Sequence, residues 1–259
     1  MKPAYLRGLG LWTPDYSSPE AWCLGEADPD ASKPAAKLLE GALRRRASPL
    51  TRMSVEVFEQ AMRTSSFDPA EIPTIWATAH GEHDTAIKLL KMMRRGEGKL
   101  SPTHFHNSVH NTPSGYASIS AGNCSASTTL TGGPELVASS LLEAFCRLEA
   151  GAGEIVVVLA DEPLQAPFDR PDMQAPLALA FCLSSEPEGA SILLDGLRRE
   201  ALPAIKPHER LGGYYVSAGL PLLERAISRR PGRIALEIER DDQPLKTTWC
   251  LDLELLAAG

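Results

Sequence analysis

Hydrophobic and polar positions change period along this chain, and the changes predict its elements. Residues 4–12 (AYLRGLGLW) alternate with a period of two and run into Thr13-Pro14, which predicts a strand leaving into a loop. Residues 15–35 are rich in Pro, Ser, Asp and Glu and predict a surface loop. A short helix with a basic end, Arg44-Arg45-Arg46, is predicted over 38–46. Ser48-Pro49 then opens a longer helix with Met53, Val57, Ala61 and Met62 on one stripe. Residues 72–79 (IPTIWATA) read as a buried strand, broken at Gly81-Glu82, and Asp84 or Thr85 can cap a helix to Met93.

Residues 101–148 form the stretch around which the rest is organised. The run His104-Phe105-His106-Asn107-Ser108-Val109-His110 predicts an extended segment. A turn at Pro113-Ser114-Gly115 leads to a helix over 116–121 and a strand near 128–130. Gly132-Gly133-Pro134 opens a strongly apolar helix, with Pro134 at its first position and Glu135 in its first turn. The many small residues predict close backbone approach, hence the densely packed middle of the domain.

Residues 154–160 (EIVVVLA) are apolar on both faces, as in a strand covered by helices on both sides. Residues 177–183 and 190–194 predict a hairpin across Glu186-Pro187-Glu188-Gly189. A loop over 199–213, a helix over 214–229 and strands over 234–239 and 247–253 complete the chain. The order predicts an α/β layered domain whose mixed β-sheet is covered by helices. Residues 1–259 are read as a single domain, with 199–259 as a divergent C-terminal extension of it.

Composition narrows the function. A net charge of -7 argues against nucleic acid or an anionic membrane surface as partner. The five cysteines are scattered with no C-x-x-C pair, which suits reduced thiols in a cytoplasmic protein. No apolar run is long enough to cross a membrane, and the first residues do not read as a signal peptide.

Two clusters offer chemistry. On an extended strand His104, His106 and His110 share one face, a geometry that three imidazole ligands of a metal could use. Cys124, within Asn123-Cys124-Ser125-Ala126-Ser127, is a candidate nucleophile, although a β-prone stretch rather than an apolar helix follows it. Arg44-Arg45-Arg46 reads as a solvated face or a partner-docking patch.

The central stretch resembles the N-terminal half of the β-ketoacyl synthases, enzymes of the thiolase fold. The resemblance is carried in order by Ser101-Pro102, Asn111, Ser114-Gly115, the helix over 116–122, the strand over 128–131, the helix from Pro134, and VVVLADE at 156–162. The opening YLRGLGLWTP is similar to the family's first strand, so the resemblance spans residues 4–195. It implies a thiolase-like layered fold consisting of a single N-terminal-type half.

The chain departs from the family where the chemistry sits. Along the family's spacing from Gly115, the nucleophilic Cys falls on Pro134. Proline supplies neither a thiolate nor the N–H that helps bind the oxyanion. Glu135 puts a carboxylate where negative charge would have to develop. The family's two catalytic histidines belong to a second half, whereas His208 is the one histidine after the VVVLADE strand, so that half is read as mostly absent.

The chain therefore looks like a chain length factor, similar to the short ones that accompany pigment-type (aryl-polyene) synthases of bacteria. The resemblance implies a non-catalytic subunit without cofactor or metal. It would form a heterodimer with a complete β-ketoacyl synthase, meet an acyl carrier protein through that complex, and form one wall of the acyl tunnel. Residues implied at the tunnel or subunit interface are His104, His106, Ser108, His110, Asn111 and Tyr116.

Overall fold

The computed structural model describes residues 1–96, 99–239 and 246–256. In chain order its elements are β1 (Ala4–Trp12), α1 (Pro19–Leu24), a 3-10 turn (Pro29–Ser32), α2 (Gly41–Arg46), α3 (Pro49–Ser65), β2 (Thr74–Thr78) and α4 (His83–Arg95). Then come α5 (Pro102–His106), α6 (Thr112–Ala121), β3 (Ser127–Thr131), α7 (Leu136–Glu149), β4 (Glu154–Asp161), β5 (Leu177–Ser184) and β6 (Ile192–Glu200). A 3-10 turn (Tyr215–Gly219), α8 (Leu220–Ile227), β7 (Gly232–Ala235) and β8 (Thr248–Leu255) follow.

The described strands form one mixed sheet in the order β3-β2-β4-β5-β1-β6-β8-β7. β2 runs parallel to β3 and β4, and every other neighbouring pair is antiparallel. The hairpin expected between β5 and β6 does not form. β1 inserts between them, pairing Gly10 with Ala180 on one side and Tyr5 with Leu193 on the other. Local turn chemistry could not reveal this, because the intruding strand comes from the other end of the chain.

Two cores cover the sheet, one on each face, and β4 and β5 feed both by simple alternation. Ile155, Val157, Leu159, Leu179 and Phe181 meet α7 and α8 in one core. Val156, Val158, Ala160, Ala178 and Ala180 meet α3 and Tyr116 of α6 in the other. The residues of β5 on the second face are small because α3 lies very close. A Cβ on Gly10 would stand 2.2 Å from the carbonyl oxygen of Val57, and one on Gly8 2.4 Å from that of Ala61. Polar side chains of α3 also serve β1: the Leu11 N–H donates to Gln60 at 3.0 Å and the Leu9 N–H to Thr64 at 3.1 Å. The residues after Glu200 extend the same sheet, and Leu222, Ile234 and Leu251 join the core that holds Leu141 and Leu159.

Four expectations are corrected locally. The segment over 15–35 contains α1, capped by Ser18, and a 3-10 turn capped by Asp28. The run expected to be extended from His104 begins as the helix α5: Ser101 accepts the His104 N–H at 3.3 Å and Pro102 takes the first turn. Nor is the whole central stretch packed into the middle, since His104, Phe105, His106, Val109, His110 and Asn111 are exposed and β3 is the outermost strand. Finally, α7 starts at Leu136, so Pro134 and Glu135 form the turn before it rather than its first helical turn.

Candidate functional site

β3 delivers the chain through Gly132-Gly133 to Pro134 and Glu135 at the mouth of α7. This is where the resemblance puts the nucleophile, and the side chains there are a pyrrolidine ring and a carboxylate. Glu135 is exposed and pairs with Arg199 of β6 at 3.3 Å. Arg199 is held in turn: it donates to the Thr247 carbonyl at 3.2 Å, lies over the Trp249 ring and approaches Glu237 at 3.9 Å. Glu237 is buried and accepts the Trp249 N–H at 3.0 Å. Burial raises the Glu237 carboxyl, while the Trp249 N–H and Arg199 act against that rise. The mouth of α7 is thus tied to the last strands by an acid–arginine–acid chain.

Cys124 is exposed in the loop before β3, whereas Pro134 follows β3. The five-residue strand puts them at opposite ends, roughly 16 Å apart along its axis. Asn123 pins that loop by donating to the carbonyls of Pro69 at 2.7 Å and Ile72 at 2.9 Å. No helix starts at Cys124.

The three histidines do not share a face. Residues two apart on a helix point to nearly opposite sides, so α5 sends His104 and His106 apart, and His110 lies against Gly81. Among the described residues no group of three or more His, Cys, Asp or Glu side chains is placed to hold a metal. Ser108 is half-buried and donates to the Phe105 carbonyl at 2.8 Å. The residue that organises this segment is Asn107, which the resemblance did not single out. It is buried, donates to the Arg46 carbonyl at 2.7 Å and accepts the Tyr116 hydroxyl proton at 2.9 Å. His106 stacks near the same Tyr116 ring, and Asn111 is exposed. Arg44, Arg45 and Arg46 are exposed at the end of α2.

A buried acidic cluster sits at the C-terminal ends of β2 and β4. Asp161 accepts from the Thr78 hydroxyl at 2.7 Å and from the N–H groups of Ala79 at 3.0 Å and His80 at 3.2 Å. Burial nevertheless pushes its carboxyl up to about 6. Glu82 accepts from Ser48 at 2.5 Å and Thr51 at 2.9 Å, which fastens the turn after β2 to the start of α3. Burial, then the charges of Glu82 and Asp84, push Glu162 up to about 8. Burial also lowers His80 and His83, so the imidazoles stay neutral, and His83 Nε2 sits 3.1 Å from the Pro163 carbonyl oxygen. The sequence signal was two acids continuing an unbroken apolar strand without a turn residue between.

Among the described residues no strand pairs with the outer edge of β3. The helices leading to it carry large exposed apolar side chains: Phe105 on α5, Ile119 on α6 and Val109 between them, with Leu90 and Met93 on α4, which packs against α5. An open strand edge and exposed apolar side chains are each features that a partner can cover.

A family model described as β-ketoacyl synthase, N-terminal domain, matches residues 19–209. No curated protein matches the chain. Among solved structures, the complex of the ketosynthase ApeO with its chain length factor ApeC from Xenorhabdus doucetiae contains a similar chain. The TM-score is 0.72 at 19% identity, with 97% of this chain and 100% of that one covered. The ishigamide ketosynthase/chain length factor matches with a TM-score of 0.72 at 11% identity, covering 98% and 100% of the two chains. The AntDE:AntF assembly, an acyl-carrier protein with its ketosynthase bound to the hexaketide, matches with a TM-score of 0.70 at 15% identity, covering 99% and 100%. Among the described residues no helix is long and apolar enough to cross a membrane. With the thiolase-like layering of its sheet and a family model spanning most of its length, the chain belongs to the β-ketoacyl synthase N-terminal domain family.

Proposed function

We propose that this chain is a non-catalytic, ketosynthase-like subunit, a chain length factor, that pairs with a complete β-ketoacyl synthase. The observation that carries the reading is Pro134-Glu135 at the mouth of α7, with Glu135 held as a carboxylate in an ion pair with Arg199. A condensing enzyme needs an activated thiol and free N–H donors where the oxyanion develops. Here the first position has no N–H and the second carries a negative charge. The partner then performs the decarboxylative condensation on carrier-protein-bound chains, in fatty-acid or polyketide-type polyene synthesis. This chain completes the dimer and lends a wall to the acyl tunnel.

The edge of β3 and the exposed Phe105, Val109 and Ile119 support the pairing half of the reading. In it, the segment that carries His104, His106, Ser108 and His110 lies toward the partner, with Asn111 and Tyr116 at the α5–α6 joint. The test is co-expression with a complete β-ketoacyl synthase from the same organism, followed by intact-mass analysis with an acyl-carrier donor. Co-elution, with the acyl adduct confined to the partner, is the expected result. An adduct on this chain that disappears in Cys124→Ala would replace the reading with an active enzyme.

A further inference from the structure

The end of β1, the start of α3 and the end of β4 enclose a second feature on the opposite face of the sheet from α7. Trp12 and Ala160 stand level on either side of Ala178 in β5, which brings the chain after β1 and the chain after β4 to the same end. The segment around Ser32 and Pro34 closes over that end. The result is a cavity of about 540 Å³, inside the range of ligand pockets, on the order of 300–1,000 Å³. Four strand spacings, roughly 19 Å, separate β1 from β3 and the turn at Pro134.

Its wall is unusual in composition. Pro14, Pro34, Pro49, Pro163 and Pro176 line it together with Met53. Proline has a fixed φ and no N–H, so this wall is stiff, apolar and poor in donors. The polar exceptions are few. Trp12 is 4% exposed and its Nε1–H has no hydrogen-bond partner. Arg52 also lines the cavity, and its Nε–H is buried without a partner, while its NH2 is fixed on the Arg44 carbonyl at 2.8 Å. Glu162 is 8% exposed and one of its oxygens is unpartnered. Lys33 adds a second positive charge. A buried donor left unmade costs on the order of 1–3 kcal/mol, and two such donors beside one apolar wall ask for one acceptor group on an apolar body.

We propose that this cavity binds an apolar monocarboxylate, with its hydrocarbon body against the proline and methionine wall and its carboxylate taken by Arg52 and Trp12. Because Glu162 keeps its proton near neutral pH, it offers a donor rather than a repelling charge. All the residues named belong to this one chain.

The test is calorimetric titration of the isolated full chain with octanoate at pH 7, with 1-octanol as the uncharged control. Octanoate should bind at least ten-fold more tightly than octanol. Arg52→Met keeps the stem but removes the donors and should erase that preference. Ser32 is exposed at the rim, so Ser32→Trp blocks the cavity without touching the core and should weaken octanoate at least ten-fold. No heat with octanoate at millimolar concentration, equal affinity for octanol in the unmutated chain, or binding untouched by Ser32→Trp would each overturn the proposal. The octanoate-to-octanol comparison decides even if Arg52→Met fails to fold.

Discussion

The Tyr116 hydroxyl donates to the buried side-chain oxygen of Asn107 at 2.9 Å, while the Asn107 amide donates to the Arg46 carbonyl at 2.7 Å. One side chain thereby joins α6, the end of α5 and the end of α2. Tyr116→Phe leaves the Asn107 oxygen buried without its donor. The expected loss of stability is about 1–3 kcal/mol, read from the urea midpoint of the isolated chain. A loss below a few tenths would mean that the bond does not hold the segment.

The contact between β1 and α3 makes a sharper prediction. At Gly10 an added methyl meets backbone rather than a side chain that could move aside. Gly10→Ala should destabilise by about 1–3 kcal/mol or prevent folding. Gly133→Ala, where nothing lies within 4 Å of the added atom, should be close to neutral. The pair of thermal melts checks the closeness of α3 to the sheet.

The buried carboxyls predict how stability follows pH. Burial raises Glu162 from 4.5 to about 8 and Asp161 from 3.8 to about 6. The native state therefore holds these protons at pH values where the unfolded chain has lost them, so stability falls as pH rises. The contribution is fully present below about pH 4, the ordinary carboxyl range, and is lost as pH climbs through 6 for Asp161 and 8 for Glu162. Above pH 7, where the lowered His80 and His83 no longer oppose the trend, denaturant midpoints up to pH 9 should decline, and Glu162→Gln should flatten that decline. A midpoint that rises across this interval would contradict the assignment.

Phe105 and Ile119 test the pairing surface. They are 68% and 66% exposed, so Phe105→Glu and Ile119→Lys should change the stability of the isolated chain by no more than about 0.5 kcal/mol. Binding to the ketosynthase should weaken at least ten-fold, because each puts a charge into an interface that must be dry. Unchanged co-elution of the double variant would move the interface elsewhere.

The sequence alone determined the elements whose pattern is decided locally or by burial on both faces. β1, α3 and β4 stand where alternation, a Ser-Pro helix start or a doubly apolar run predicted them, whereas the helix expected over 214–229 divides into a 3-10 turn and the shorter α8. The mixed sheet was legible in the same way. Tertiary structure decided the rest. β1 separates β5 from β6 because strand order depends on contacts far apart in sequence, which no turn signal encodes. α5 is a helix because Ser101 caps it and Asn107 is anchored by Arg46 and Tyr116. The Ser101-Pro102 signal was visible, but the alternating histidines outweighed it. The buried Asp161 and Glu162, the Arg199 bridge to Glu135 and the proline-walled cavity emerge only in three dimensions. Each joins side chains from elements that meet only once the sheet is built, and burial and orphaned donors are properties of that meeting rather than of any single residue.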